Sequence, residues 1–186
     1  VTGSMDATGQ PPVPGDPEIV ASHGTQVGCI VEQNTEIMEI PSAPPTQVDK
    51  DIASYILPLL KSGDKVEIGF GGLGEEIMAN LKSRAPLEVI TEVACDNMMN
   101  LVEEGILTKV IACSPGACTS EFYHGASKNE KMVFMPQPIM LDPFWLAKQE
   151  NLVSINATFM CDLLGQCCSE AQGLMPYSGA GGSFSY

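Results

Sequence analysis

The stretch Lys65–Glu92, KVEIGFGGLGEEIMANLKSRAPLEVITE, predicts a strand, a glycine turn, a helix and a second strand. Apolar residues alternate with charged or small ones from Val66 to Phe70, and four glycines between 69 and 74 then form a sharp turn. Glu75 and Glu76 follow, where a helix start favours negative charge. Leu87–Thr91 is a β-branched run typical of a buried parallel strand. The stretch is therefore predicted to be a βαβ unit that binds a ligand at the carboxyl edge of its sheet.

Two chemistries fit this unit. Gly69, Gly71 and Gly74 match G-x-G-x-x-G, and Glu92 follows roughly 20 residues later, so the pattern satisfies the dinucleotide fingerprint of an NAD-binding oxidoreductase. Alternatively, backbone N–H groups of the turn bind an acyl or phosphate group, and Glu92 is a nucleophile or base. A plain tight turn followed by a solvated glutamate explains the same residues without any function.

The charge of the chain excludes some partners. The 186 residues carry a net charge of -14 and contain nine Lys plus Arg. Such a protein is expected to bind neither nucleic acid nor an anionic membrane surface. A hydrophobic content of 44% is that of a globular protein.

The cysteines and histidines do not indicate a metal site. The seven cysteines form no zinc-like Cys-x-x-Cys pair, and there are two histidines. Most of the thiols are expected to be reduced and at least half-buried, in a cytoplasmic protein. No run approaches the roughly 20 apolar residues of a membrane span.

The segments around the central unit predict an α/β fold with a mostly parallel open sheet and flanking helices. A strand is predicted at Val27–Glu32, and the connector Pro41–Pro45 marks a domain boundary. A helix is predicted over Thr46–Ser62, capped by Thr46 with Asp49, interrupted by Pro58, and with an inward apolar face. That face is predicted to consist of Ile52, Tyr55, Ile56, Leu59 and Leu60.

Later segments continue the alternation of helices and strands. Asp96 is predicted to cap a helix, and Asp142-Pro143 to open another. Two segments, Asn151–Phe159 and Met160–Leu164, are predicted to be strand material. A second glycine turn, with glycines at 179, 181 and 182, precedes an aromatic run at the end of the sequence. Because a domain would not normally stop there, the chain is predicted to be an internal fragment.

Four segments in this order resemble the acetyl-CoA hydrolase/transferase family, the class I CoA-transferases that act on 4-hydroxybutyrate, butyrate or acetate. They are GDKVEIGFGGLG (63–74), VITEVACDNMMNLVEEG (89–105), NLVSINATFMCDLLGQ (151–166) and YSGAGG (177–182). The resemblance implies that each half of the enzyme has an α/β CoA-transferase fold. Residues 1–45 would then be the tail of the first domain with a linker, and 46–186 a second domain truncated at its C-terminal end.

The resemblance also implies site residues. Glu92 corresponds to the nucleophilic glutamate, Gly181 and Gly182 to the turn that contacts CoA and binds the oxyanion, with Gly179 as support, and Gly71 and Gly72 to the acyl pocket. It implies transfer of CoA between an acyl-CoA and a small carboxylate, no permanently bound cofactor, and a homo-oligomer. Acyl-CoA hydrolysis at the same site, and an inert interaction module, are the alternatives beside the NAD-binding one.

The sequence departs from the family pattern at three places. Leu73-Gly74 replaces Ile-Pro, Ser114-Pro115-Gly116 replaces His-Pro-Gly, and Ser183–Tyr186 replaces a Gln-x-Asp-Phe-like run. These changes bear on the preferred acyl group and carboxylate more than on the type of reaction. Cys95, three residues after Glu92, is predicted to be a packed thiol because no histidine is near it in the sequence.

Overall fold

In the described part of the chain, five parallel strands form one sheet. They are β1 (Lys65–Ile68), β2 (Leu87–Ala94), β3 (Leu107–Pro115), β4 (Met132–Phe134) and β5 (Leu152–Ile155). They lie in the order β4-β3-β2-β1-β5. This is a computed structural model, which describes residues 44–69, 71–116, 118–179 and 181–186. The predicted strand Val27–Glu32 and nearly all of the predicted tail 1–45 lie outside these residues.

Six α-helices lie in the same described residues. They are α1 (Gln47–Ile56), α2 (Gly72–Ala79), α3 (Asp96–Glu103), α4 (Ser120–Ala126), α5 (Gln137–Met140) and α6 (Pro143–Leu146). Short 3₁₀ turns cover Leu57–Leu59, Leu81–Arg84 and Gly182–Phe184. After β5 the chain forms two small antiparallel hairpins, β6 (Met160–Cys161) with β7 (Cys167–Cys168) and β8 (Ala171–Gln172) with β9 (Met175–Pro176). The predicted α/β class with a mostly parallel sheet is confirmed.

Alternation along the strands divides the core between the two faces of the sheet. Val66, Val89 and Val110 are buried on one face in a cluster that includes side chains of α1 to α4. Ile90 and Ile111 are buried on the other face, where they pack with Met140 of α5. Helices therefore cover both faces, as a parallel sheet requires.

The glycines of the central unit bring α2 against the end of β1. Gly71, which precedes α2, has φ 127° and ψ -178°, a conformation open to glycine but not to other residues. A Cβ atom on Gly74 would lie 2.3 Å from the Gly69 carbonyl oxygen. Gly74 is thus required for close packing of helix on strand.

The α1 helix confirms its predicted start and break but not its predicted face. Thr46 and Asp49 form a reciprocal capping box, and the α-helix gives way to a 3₁₀ turn at Leu57, next to Pro58. Ala53 and Leu60 are buried, whereas Ile52, Tyr55 and Leu59 are exposed. The prediction was wrong for these three exposed residues, because the helix is rotated so that its small residue Ala53 faces the core.

Two further predictions are corrected. Asp96 is the first residue of α3 and not its cap; its carboxylate accepts hydrogen bonds from the backbone N–H (3.1 Å) and hydroxyl (2.6 Å) of Thr119. Asp96 therefore ties α3 to the start of α4. Of the strand material predicted at Asn151–Phe159 and Met160–Leu164, Leu152–Ile155 and Met160–Cys161 are strands, and the second lies in a hairpin outside the main sheet. The Asp142-Pro143 helix start is confirmed, with Asp142 accepting from the Phe144 N–H at 2.8 Å.

Candidate active site

Glu92 lies where the sheet opens between β1 and β2. The paired residues of these two strands are Lys65 with Glu88 and Val66 with Val89, whereas β2 stays paired with β3 as far as Ala94. The buried Thr91 hydroxyl then donates a hydrogen bond to the Ile68 carbonyl at 3.0 Å. Glu92 was predicted at the end of a strand closing at Thr91; β2 in fact continues past it to Ala94.

Two segments from distant parts of the sequence contact the Glu92 carboxylate. The side-chain amide of Gln137, at the start of α5, donates a hydrogen bond to Glu92 Oε1 at 2.9 Å. On the other oxygen, a Cβ atom built on Gly182 would lie 2.7 Å from Oε2. Only a residue without a side chain fits between the backbone at 182 and this carboxylate.

The glycine turn predicted to act with Glu92 therefore does approach it, through one of its three glycines. Gly182 is buried beside Glu92, and Gly181 has φ 62° and ψ -167°, a conformation that requires glycine. A Cβ atom built on Gly179 would meet no described atom within 4 Å. The roles of Gly179, Gly181 and Gly182 in binding CoA or an oxyanion stay predictions.

The structure places Gly71 and Gly72 at the start of α2, beside the start of α1. A Cβ atom on Gly72 would lie 3.0 Å from Asp49 Oδ2 and 3.7 Å from the Pro45 Cα. Glu92 is not among these nearest neighbours of Gly72. Their predicted role as a turn lining the acyl pocket stays a prediction.

A second carboxylate, Glu67 of β1, is buried on the face of the sheet that also carries Glu92. Its Oε2 accepts hydrogen bonds from the hydroxyl of Ser154 at 2.7 Å and the amide of Asn156 at 2.6 Å. Burial raises the pKa of Glu67, and the negative charge of Glu92 adds to this. An acid between two apolar strand residues, Val66 and Ile68, is a signal for this site in the sequence, but it belongs to none of the motifs.

Tyr186 brings a phenol to the same place. An edge atom of its ring, Cε2, would lie 3.5 Å from a Cβ on Gly182, and the ring packs on the cluster around Ile90 and Ile111. Its hydroxyl is buried without a hydrogen-bond partner among the described residues. Burial, then Glu67, raises the pKa of Tyr186 far above its usual range, so this hydroxyl keeps its proton and is a donor.

The thiols near this site are poor nucleophiles. Cys95 is buried against Met78, and burial raises the pKa of its thiol to about 12. Burial and then the charge of Glu92 raise the pKa of Cys113 to about 11. The prediction that Cys95 is a packed thiol is confirmed. No cluster of three or more potential metal ligands occurs in residues 44–69, 71–116, 118–179 and 181–186.

Gln137 was not predictable as a site residue. The sequence around it shows two prolines, Pro136 and Pro138, and predicts a strand break and nothing more. Its contact with Glu92 spans 45 residues and depends on β4 lying two strands from β2. Such a contact arises from the strand order, which no local pattern encodes.

Comparison with known proteins supports the resemblance seen in the sequence. Residues 118–186 match the family model for the acetyl-CoA hydrolase/transferase C-terminal domain. This part of the chain belongs to that family. The chain is 32% identical over 168 residues to the succinyl-CoA:cyclohexane-1-carboxylate CoA transferase of Geobacter metallireducens, covering 86% of the chain and 38% of that protein. It is 29% identical over 172 residues to the 4-hydroxybutyrate coenzyme A transferase of Clostridium kluyveri, covering 88% of the chain and 40% of that protein.

Solved structures show the same fold. The crystal structure of RipA from Yersinia pestis matches with a TM-score of 0.74 and 28% identity over 85% of this chain and 38% of that chain. The structure of a RipA mutant matches with a TM-score of 0.82 and 28% identity over 93% of this chain and 41% of that chain. A 4-hydroxybutyrate CoA-transferase structure from Porphyromonas gingivalis matches with a TM-score of 0.71 and 24% identity over 78% of this chain and 39% of that chain, which confirms the predicted CoA-transferase fold. The chain spans about two fifths of these relatives. Among the described residues, no helix combines the length and apolar character needed to cross a membrane.

Proposed function

We propose that the full-length protein transfers coenzyme A between an acyl-CoA and a small carboxylic acid, with Glu92 as the nucleophile. The observation that carries this proposal is the placement of the Glu92 carboxylate. One of its oxygens is bound by Gln137, while the other faces the backbone at Gly182. A carboxylate that lies against a glycine turn suits acyl transfer, because backbone N–H groups of such a turn can stabilise a tetrahedral oxyanion.

The reaction proceeds by nucleophilic substitution at carbonyl carbons. Glu92 Oε2 attacks the thioester carbonyl of acyl-CoA and the C–S bond breaks. CoA leaves as a thiolate, and an acyl-glutamyl anhydride remains on the protein. The thiolate then attacks the glutamyl carbonyl and releases the first carboxylate, which leaves a glutamyl-CoA thioester. An acceptor carboxylate repeats these steps in reverse order, carries CoA away and regenerates Glu92.

Backbone amides at Gly181 and Gly182 would stabilise the oxyanions. Loss of one such donor commonly costs about 2.7–4 kcal/mol of barrier. Coenzyme A enters on the donor acyl group and leaves on the acceptor, so it acts as a substrate and not as a resident cofactor.

The proposal also covers the classes of acyl group and acceptor acid that the protein uses. The matched proteins are named for succinyl-CoA with cyclohexane-1-carboxylate and for 4-hydroxybutyrate. We take small carboxylates as a class to be the acceptors. If water replaces the acceptor at the glutamyl thioester, the same residues would give an acyl-CoA hydrolase, as the two-part name of the family allows.

The G-x-G-x-x-G pattern receives another explanation. Gly74 is needed because its Cα packs on the Gly69 carbonyl, and the matched relatives are CoA-transferases. We therefore propose CoA transfer as the function and keep NAD binding as the alternative. The proposal keeps the expected absence of nucleic acid and membrane partners and the expected homo-oligomer.

Replacing Glu92 tests the proposal. In the full-length protein, Glu92→Ala should lower kcat by on the order of 10³-fold or more, because the nucleophile is lost. Glu88→Ala is the matched control, a glutamate about 13 Å upstream on the same strand. Exchange of CoA between an acyl-CoA and acetate would be measured, together with circular dichroism of each variant. Transfer by a folded Glu92→Ala protein at more than a few per cent of the wild-type rate would refute the role of Glu92.

A further inference from the structure

The hairpin formed by β6 and β7 places two cysteines directly opposite each other. Cys161 of β6 and Cys167 of β7 are paired residues of the antiparallel ladder. The neighbouring Asp162 N–H donates to the Gln166 carbonyl at 3.0 Å, which makes 162 and 166 a hydrogen-bonded position. Hydrogen-bonded and non-hydrogen-bonded positions alternate in such a ladder, so Cys161 and Cys167 occupy a non-hydrogen-bonded one.

This position has the spacing of a disulfide. Residues at non-hydrogen-bonded positions have Cα atoms about 4.5 Å apart and side chains close together. That distance falls within the roughly 4.4–6.8 Å range of disulfide-bonded cysteines. The thiols themselves donate to nearby backbone carbonyls, Cys161 to Asp162 at 3.5 Å and Cys167 to Gly165 at 3.7 Å. The neighbouring Cys167 side chain is the main reason why the pKa of Cys161 is raised.

The pair differs from the other described thiols in its accessibility. Cys161 and Cys167 are both exposed. Cys95 and Cys118 are buried, and burial raises the pKa of each thiol to about 12. Since susceptibility to oxidation follows the exposure of a thiol, oxidants should react with the exposed hairpin pair before these two buried thiols.

We propose that Cys161 and Cys167 are a redox-modification site that closes to a cross-strand disulfide on exposure to a peroxide. One thiolate attacks a peroxide oxygen, the O–O bond breaks, and a sulfenic acid and water form. The second thiolate then attacks the sulfenic sulfur, the S–S bond forms, and the oxygen leaves as a second water. Two thiols are oxidised by two electrons and one hydrogen peroxide is reduced to two waters.

The adjacent Cys168 supplies a matched control. It pairs with Met160, one position along the ladder, so its side chain points to the opposite face of the hairpin from Cys167. A disulfide that follows from the register should use Cys167 and not Cys168. The inference is independent of the proposed CoA transfer, because the Glu92 contacts that support that transfer come from Gln137 and Gly182 and not from the hairpin.

Peptide mapping of the full-length protein tests the proposal. The protein would be treated with hydrogen peroxide, alkylated under denaturing conditions, and digested with a protease that cleaves at Asp162, which separates Cys161 from Cys167. We expect two peptides linked by a bond that dithiothreitol breaks, with two alkylatable thiols lost from each chain. The same link should form in Cys168→Ser and be lost in Cys161→Ser and Cys167→Ser.

Two results would overturn the proposal. One is a link that persists in Cys167→Ser and disappears in Cys168→Ser, which would mean that the register does not select the partner. The other is oxidation of Cys161 and Cys167 to separate sulfinic acids without any linked peptide. Circular dichroism of the three variants, whose changes lie on an exposed hairpin, would show that each is folded.

Discussion

The two oxygens of the Glu92 carboxylate are in different environments. Oε1 accepts the hydrogen bond of Gln137 at 2.9 Å, and Oε2 lies against Gly182. A carboxylate bound at one oxygen cannot rotate freely, and this favours attack by the other oxygen. At the residue scale, the site therefore depends on a side chain that fixes Glu92 and on a glycine that leaves space beside it.

Gly182→Ala tests that space. The new Cβ would lie 2.7 Å from Oε2, so the carboxylate or the turn must move, and we expect kcat to fall about 10²-fold. Gly125→Ala in α4 is the control, because its nearest atom would be the flexible Met99 Cε at 3.1 Å and not Glu92, and this substitution should leave kcat nearly unchanged. Steady-state kinetics of both variants would measure the difference. An equal effect of the two substitutions would contradict the special position of Gly182.

Glu67 predicts a pH dependence of stability. Burial raises its pKa above the ordinary 4.5, so the folded protein keeps this proton at pH values where the unfolded chain has lost it. The free energy of unfolding should therefore fall as the pH rises from about 4.5 through the raised value. Glu67→Gln removes the titration and keeps an oxygen for Ser154 and Asn156. The Tm of this variant relative to wild type should increase as the pH rises from about 4.5 through the raised pKa of Glu67. Parallel curves would argue against a raised pKa of Glu67.

At the scale of elements, packing of α2 on β1 depends on Gly74. Gly74→Ala would set a Cβ 2.3 Å from the Gly69 carbonyl oxygen and 3.2 Å from Ile68 Cγ2, and backbone there cannot move cheaply. We expect a loss of about 1–3 kcal/mol in the free energy of unfolding. Gly125→Ala in α4 is the contrasting variant, because its nearest atom is the flexible Met99 Cε at 3.1 Å and alanine favours a helix. Urea unfolding would measure both, and a Gly74→Ala protein as stable as wild type would contradict this packing.

Elements were predictable where local chemistry defines them. The capping box of α1, the glycine turn before α2 and the buried run of β2 each follow from adjacent residues, and the structure confirms them. The buried face of α1 was not predictable, because the helix has apolar residues on more than one side. Its true orientation depends on α2, against which it packs. The Gln137–Glu92 contact and the burial of Glu67 depend on strand order in the same way.

On the scale of the molecule, five strands in the order β4-β3-β2-β1-β5 bring together residues that lie far apart in the sequence. Glu67, Glu92, Gln137 and Gly182 come from four segments, and the parallel sheet places them near one edge.

Several large apolar side chains are fully or mostly exposed, among them Tyr55, Leu163 and Leu174. Since the chain spans about 38–40% of the matched enzymes, its activity must be measured on the full-length protein.

Trapping the covalent intermediate tests the central claim most directly. The full-length protein would be incubated with acetyl-CoA, succinyl-CoA or butyryl-CoA, treated with borohydride, and mapped by mass spectrometry. A glutamyl-CoA thioester at Glu92 would be reduced, and the peptide containing Glu92 should then carry an alcohol in place of its carboxylate. This change should appear only in samples to which an acyl-CoA was added. An unmodified Glu92 with every acyl-CoA, in a protein that still transfers CoA, would contradict the account.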